Sequence, residues 1–228
     1  MKQTIRLADE AFKFDSYVDG PGKRTVFFPQ GCLLHCHGCL ASERWDPDGG
    51  EEWQIDQVAR IIIDAGNPRI TVSGGEPLLQ ANAVVELLRL LRFRDWGDAE
   101  FNAILYTGFI WEDAIVMSWA IPAIRHVFAL VDTVVDGPYI EAADDDHLQW
   151  RGSRNQRPIM VAETLDAADR AQAGNAWEGE PVMDASWDEV TFSVTPGGDV
   201  IGAAGAMEEL LDGGEAIARC GENDKMGD

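Results

Sequence analysis

The stretch Gln30-Gly31-Cys32-Leu33-Leu34-His35-Cys36-His37-Gly38-Cys39 carries three of the chain's four cysteines, the fourth standing far away at Cys220. Free cysteines are usually buried singly as small apolar groups, so thiols at intervals of four and three positions point to shared ligation. Thiolates select zinc, copper(I) or iron–sulfur centres, and in a reducing compartment ligation is the expected use of clustered cysteines. A structural zinc site is closed by four ligands, so the trio would have to recruit His35, His37 or Cys220. An iron–sulfur cube held by three thiolates instead keeps one iron without a protein ligand, whereas electron-transfer clusters take a fourth cysteine. Spacing alone leaves both readings open, and only the second offers an iron to which a substrate can bind.

On the N-terminal side, Arg24-Thr25-Val26-Phe27-Phe28 is β-branched and aromatic, follows the turn Asp19-Gly20-Pro21-Gly22, and reads as a buried strand. On the other side, Ile55, Val58, Ile61 and Ile62 recur at helical spacing until Gly66-Asn67-Pro68 stops the helix. Strand Ile70-Thr71-Val72 then runs straight into Ser73-Gly74-Gly75-Glu76-Pro77. Val84, Leu87, Leu88 and Leu91 fall on one face of a helix over 81–93, and strand Phe101–Tyr106 follows. A helical region from Trp111, interrupted near Pro122, leads to strand Thr133-Val134-Val135 and the turn Asp136-Gly137-Pro138. Strands alternating with helices of this length imply βαβ units and a parallel sheet.

Beyond Tyr139 the pattern weakens. Asp144-Asp145-Asp146 reads as a solvated loop, 149–156 as a polar block with Arg151 and Arg154, and Ile159-Met160-Val161 as one more strand. The acidic stretch Asp166–Asp188 reads as a poorly packed connector. Val190–Val194 and Asp199–Ile201, joined across Pro196-Gly197-Gly198, form an expected β-hairpin. A short helix over Met207–Leu211 and a frayed tail complete the reading.

A chain of 228 residues suits one domain with an appendage, and it buries enough surface to need no disulfide staples. Its 18 basic residues against 40 acidic ones give a net charge of −22, which argues against a nucleic-acid partner because phosphate binding rests on Lys and Arg. The acidity is concentrated toward the end: residues 141–228 hold 20 acids against 6 bases. Such a surface is compatible with a high-salt environment or with simple solubility. The first fourteen residues lack the apolar core of a signal peptide, and no stretch approaches a membrane span. The expectation is a soluble, cytoplasmic protein with no membrane or nucleic-acid partner.

Two motifs in order carry a resemblance. Cys-x3-Cys-x2-Cys after the first strand and Gly74-Gly75-Glu76-Pro77 after the second resemble the signature of radical S-adenosylmethionine enzymes. Val18-Asp19-Gly20-Pro21-Gly22-Lys23-Arg24 looks like the subgroup that activates glycyl radical enzymes. Within it, Tyr106-Thr107-Gly108, Val135-Asp136-Gly137-Pro138 and Trp150-Arg151-Gly152-Ser153-Arg154-Asn155-Gln156 are similar to the proteins that activate anaerobic ribonucleotide reductase. The resemblance covers roughly residues 14–161. It departs at Pro29, where relatives continue an aromatic strand, and at Leu40-Ala41-Ser42, which replaces an Asn-Pro continuation.

The resemblance implies that Cys32, Cys36 and Cys39 ligate a 4Fe-4S cluster whose free iron chelates S-adenosylmethionine. Reductive cleavage would then yield a 5′-deoxyadenosyl radical, chemistry that belongs to the cofactor pair. Ser73, Gly74, Gly75 and Glu76 would bind the amino-acid end of the cofactor, the glycines by close backbone approach and Glu76 by accepting from its ammonium. The backbone of Gly38 and Leu40 would lie near adenine. Asp136, at a strand end, is a candidate for the ribose or methionine end, with a turn-forming role as the alternative. His35 and His37 are expected to face solvent. Arg151 and Arg154 form a basic island suited to docking a partner or to neutralising Asp144–Asp146. The implied partners are a glycyl radical enzyme and an electron donor such as flavodoxin or ferredoxin.

The expected fold is α/β, an incomplete parallel (β/α) barrel of about five or six strands over residues 1–161, with 162–228 as acidic connector, C-terminal β-hairpin and tail. The expected function is generation of a glycyl radical on anaerobic ribonucleotide reductase. Its alternatives are activation of a pyruvate formate-lyase type enzyme, a radical enzyme for a small molecule, and a non-catalytic zinc-binding protein.

Overall fold

The computed structural model describes residues 3–145, 147–165, 180–189, 192–194 and 200–202. By its internal contacts the chain divides into two compact units, Met1–Asp184 and Ala185–Asp228.

The first unit is built on one open, seven-stranded sheet. Its strands are β1 (Thr4–Ser16), β2 (Arg24–Pro29), β3 (Glu51–Gln54), β4 (Arg69–Val72), β5 (Asn102–Tyr106), β6 (Thr133–Asp136) and β7 (Arg157–Met160), in the spatial order β3-β1-β2-β4-β5-β6-β7. The central four, β2-β4-β5-β6, run parallel, whereas β1, β3 and β7 are antiparallel to their neighbours. The expected strand count of five or six is therefore corrected to seven, in a sheet that does not close. The two strands that were not anticipated, β1 and β3, lie at one side. In β1 the register against β2 shifts between Leu7 and Phe12, which breaks the period-2 alternation by which a strand is recognised.

Helices α1 (Ile55–Asp64), α2 (Ala81–Arg92), α3 (Trp111–Ala120) and α4 (Pro122–Phe128) belong to the core that covers one face. The apolar stripe of α2, with Val84, Leu87, Leu88 and Leu91, is fully buried there, and α1 contributes Ile55, Val58 and Ile62. Each such side chain gains about 1.5–3 kcal/mol from burial. Pro122 opens α4 after Ile121, which accounts for the interruption expected at that point.

Alternation along the strands divides their side chains between two faces. Phe27, Ile70, Val72, Ala103, Leu105 and Val134 pack into the helix-covered core. Their neighbours Arg24, Thr71, Ile104 and Tyr106 therefore point to the opposite face. There Asp19 of the loop after β1 and Trp150 of the polar block reach them: Thr71 Oγ1 donates to the Asp19 carbonyl at 2.8 Å, and Tyr106 Oη donates to the Trp150 carbonyl at 2.5 Å. Because β2, β4, β5 and β6 are parallel, all four release their chain at one rim, where the cysteine loop and the Ser73–Pro77 turn begin.

The expected strand over 159–161 is present as β7, which pairs antiparallel with β6 as the last strand in the sheet order. Part of the supposed connector is ordered: Met183 bridges Ile159, and Met160 N donates to the Val182 carbonyl at 2.8 Å. In the second unit, a short helix spans Ser186–Glu189, and strands β8 (Phe192–Val194) and β9 (Val200–Gly202) pair antiparallel, as the hairpin reading expects. The hairpin's turn, residues 166–179, Met207–Leu211 and Cys220 lie outside the described residues.

Candidate functional site

Four strand exits converge on a cavity of about 160 Å³ whose wall includes Cys32, Cys36 and Cys39. Facing the thiols are Ser73, Gly74, Gly75 and Glu76 from the exit of β4, and Tyr106, Thr107 and Gly108 from β5. Gly137, Tyr139 and Gln156 complete the far side. The two motifs separated by more than thirty residues in sequence thus share one cavity.

Backbone hydrogen bonds lace these exits together. Gly75 N donates to the Pro29 carbonyl at 2.9 Å, Glu76 N to the Gly31 carbonyl at 2.7 Å, and Thr107 N to the Val135 carbonyl at 2.9 Å. A Cβ at Gly75 would stand 2.4 Å from the Gly31 carbonyl oxygen, and one at Gly74, where φ is +115°, would stand 2.8 Å from that of Pro29. The glycines are therefore required first by the approach of this turn to the end of β2. That is a different reason from the cofactor approach expected from sequence.

The cysteine loop returns to the sheet through Gly31 N and Cys32 N, which donate to the Arg44 and Trp45 carbonyls, both at 2.9 Å. Left-handed backbone at His35 and Gly38 bends it so that all three thiols reach one cavity. Cys32 is buried, and burial pushes its thiol pKa up, while the amides of Leu34 and His35 donate to the sulfur and hold it back. Among the described residues no three His, Cys, Asp or Glu side chains form a set able to hold a single metal ion. An all-thiol donor set spread over one cavity wall, with amides aimed at sulfur, suits an iron–sulfur cluster better than a zinc ion closed by histidine. The histidines are engaged elsewhere: His35 stacks on Trp45 at 4.7 Å, and the exposed His37 meets Glu141 at 2.8 Å.

Glu76 is the centre of the opposite wall. It is 1% exposed, and three donors hold its carboxylate: Leu78 N at 2.9 Å and Thr107 Oγ1 at 2.9 Å on one oxygen, Gly108 N at 2.8 Å on the other. A carboxylate has roughly four acceptor sites, so one remains for a ligand. Desolvation outweighs these donors and pushes the Glu76 pKa up to about 7.

Asp136 is corrected. Val134 points into the helix-covered core, so two positions on Asp136 points there too, away from the cavity. Its carboxylate, 0% exposed, accepts from Trp111 N at 2.7 Å at the start of α3 and from Arg157 Nη2 at 2.5 Å and Nε at 3.1 Å. Arg157 also reaches Glu112 on α3 at 2.8 Å, and these carboxylates raise its pKa further. Asp136 thus fastens α3 and β7 to β6 beneath Gly137. Asp136→Ala is expected to lower stability by about 1.5–3 kcal/mol in urea denaturation, since it removes a charged hydrogen-bond acceptor from Trp111 N and leaves Arg157 with Glu112 alone; a loss below about 0.5 kcal/mol would contradict this role.

Gly38 and Leu40 do not line the cavity, and Leu40 is 94% exposed. Space beside Gly38 is limited by Tyr139 and Glu141, each 3.2 Å from a Cβ placed there. Arg154 pairs with Asp145 at 3.1 Å and Arg151 Nη1 donates to the Gln156 carbonyl at 3.4 Å, so the two do not form an isolated basic pair. Sequence reasoning did not assign Tyr106, Thr107, Gly108, Tyr139 or Gln156 to the site. The signal was available for the first three, which end a parallel strand on the same rim as Glu76.

The chain matches the family described as 4Fe-4S single cluster domain over residues 18–159. It is 31% identical over 146 residues to the anaerobic ribonucleoside-triphosphate reductase-activating protein of Vibrio cholerae, covering 61% of this chain and 88% of that protein. The Escherichia coli K12 protein of the same name is 30% identical over 146 residues, covering 61% and 89%. The pyruvate formate-lyase-activating enzyme of Listeria monocytogenes is 41% identical over 81 residues, 33% of each chain. Among the described residues, no helix is long and apolar enough to cross a membrane.

Proposed function

This chain belongs to the 4Fe-4S single cluster domain family, among the glycyl radical enzyme activases of the radical S-adenosylmethionine superfamily, and from that premise we propose that it activates an anaerobic ribonucleotide reductase. The observation that carries the reading is the shared cavity: three thiols on one wall and the Glu76 carboxylate on the other.

When bound together, a 4Fe-4S cluster and S-adenosylmethionine supply one-electron reductive cleavage and a carbon radical able to take hydrogen from glycine, chemistry no side chain provides. Cys32, Cys36 and Cys39 would hold the cluster. Glu76 would orient the cofactor's amino group through its remaining acceptor site, with Ser73, Gly74 and Gly75 forming the adjoining backbone wall. Thr107 and Gly108 keep Glu76 in place by donating to it. The cavity is smaller than the roughly 300–1,000 Å³ of typical ligand pockets, so a ligand of this size would extend beyond its mouth.

We read the open sheet as a partial (β/α) barrel whose unclosed side admits the partner's glycine-bearing segment. The chemistry is assigned to residues 1–161, with 162–228 as an acidic appendage, and the electron to a flavodoxin or ferredoxin. Arg154, 66% exposed at its side chain beside Asp145, is assigned with Arg151 to the docking rim. A rim charge alters association rate and salt dependence more than final yield.

The test is electron paramagnetic resonance of anaerobic ribonucleotide reductase after incubation with reconstituted protein, S-adenosylmethionine and reductant without oxygen. A glycyl radical signal that requires all three is expected. Cofactor cleavage with no radical on the reductase, but with one on pyruvate formate-lyase, would transfer the assignment to the second partner.

A further inference from the structure

The cysteine loop is one residue thick. Cys32, Leu34, Cys36, Cys39 and Ala41 line the cavity, whereas Leu33, His35, His37, Gly38 and Leu40, which stand between them, are all exposed. The residues of 32–41 thus divide between the cavity and the outer surface. A cluster held by the three thiols would be separated from solvent on this side by a single layer of chain.

The outer surface of this layer is apolar at Leu33, 66% exposed, and at Leu40, 94% exposed. It also lacks fixed charge: in a chain of net charge −22, Thr25 to Ser42 contains no Asp, Glu, Lys or Arg. Glu141, which reaches the loop from the far wall, is paired with His37 at 2.8 Å. Exposed leucines gain from burial against a second protein. An uncharged face is free of the like-charge repulsion that the rest of this acidic chain sets against an acidic one.

Resting on the reading that Cys32, Cys36 and Cys39 hold a 4Fe-4S cluster, we propose that Leu33 and Leu40 form the docking surface for a small electron-carrier protein that presents a reduced flavin or iron–sulfur centre. One electron leaves the carrier, which is oxidised by one, and enters the cluster, which is reduced by one; no bond forms or breaks and no proton moves. Electron transfer weakens steeply with distance, so a carrier gains by meeting a wall one residue thick. The glycine-bearing partner must instead enter the cavity, which Leu33 and Leu40 do not line. Contacts between redox proteins are small and weak, which suits two exposed leucines on one loop.

The experiment follows cluster reduction by stopped-flow absorbance, without oxygen, at increasing concentrations of reduced flavodoxin and, separately, reduced ferredoxin from the same organism, with dithionite as the small-molecule control. Reconstituted wild type is compared with two double variants, Leu33→Ser with Leu40→Ser and Leu33→Asp with Leu40→Asp. Both are expected to keep wild-type iron content and dithionite-driven S-adenosylmethionine cleavage, because neither side chain lines the cavity. Both should raise the carrier concentration for half-maximal reduction about tenfold or more, since burying even one leucine is worth that factor. Should a double variant lose iron, Leu40→Ser alone, at the more exposed position, is read by the same criterion. Half-maximal concentrations within twofold of wild type, or a wild type that neither carrier reduces, would overturn the proposal. So would a comparable rise in the KM for reductase under dithionite, which would give the leucines to the glycine-bearing partner. A wild type that holds no cluster, or cleaves no S-adenosylmethionine with dithionite, removes the functional reading and the proposal with it.

Discussion

Protein reconstituted without oxygen is expected to bind close to four irons per chain, and Cys32→Ala, Cys36→Ala and Cys39→Ala are each expected to lose the cluster and reduce S-adenosylmethionine cleavage to background. Each thiol occupies the same cavity wall, and a cube with three protein ligands has no spare to replace a lost one. The fold should survive, because the bonds that position the loop are made by backbone: Cys32 N to Trp45 and Gly31 N to Arg44 persist in an alanine variant. Apoprotein melting temperatures close to wild type would therefore accompany the loss of iron. Cys220→Ala should keep the cluster, since a fourth thiolate would close the iron that must stay open. Iron and sulfide analysis with absorption near 400 nm checks this. Stoichiometric zinc without iron in protein isolated anaerobically, or a cluster retained by any of the three variants, would end the assignment.

The central sheet was legible because β2, β4, β5 and β6 are covered on both faces, and such strands read as continuous apolar runs. Arg24–Phe28 and Thr133–Val135 each fall within one residue of the observed strand. The periphery was harder. β1 carries Asp9, Glu10 and Lys13 among its buried Leu7, Ala8 and Ala11, and across its register shift the adjacent Ala11 and Phe12 both pack against the same core. No single period describes it. Nor can a local pattern show that the sheet remains open, because that depends on where β7 pairs.

For the site, two of the walls follow from residue chemistry: clustered thiols, and a glutamate after two glycines at a strand end. The misreading of Asp136 has a simple cause. A polar residue ending a strand on the ligand-binding rim was treated as facing the ligand, yet side chains alternate, and buried Val134 already fixed the face that Asp136 would share. The same parity places Tyr106 on the face opposite Leu105.

Glu76 should show opposite responses to pH in binding and in stability. Its carboxyl loses its proton near 4.5 when exposed and only at about 7 in the fold. The folded state thus holds this proton more tightly than the unfolded chain. The contribution of the group to stability is greatest below about pH 4.5 and declines as pH rises, levelling above 7 after a loss on the order of 3 kcal/mol. Glu76→Gln cannot titrate, so the difference in unfolding free energy between variant and wild-type apoprotein should move in the variant's favour by about that amount between pH 4.5 and 8. Cofactor binding runs the other way. The amino N–H of S-adenosylmethionine needs an ionised acceptor, so wild-type affinity should rise up to tenfold per pH unit as pH approaches 7 and flatten above it. Glu76→Gln, with a neutral amide that mismatches one of the three donors now on the carboxylate, should bind roughly 10- to 150-fold more weakly at pH 8, the equivalent of a charged hydrogen bond worth about 1.5–3 kcal/mol. Its affinity should lack the acidic slope that wild type shows. Isothermal titration of reconstituted protein at pH 6, 7 and 8 measures the one and chemical denaturation of apoprotein the other. Equal affinities for wild type and Glu76→Gln across that range would remove Glu76 from the cofactor wall and leave it a buried strut joining β4 to β5.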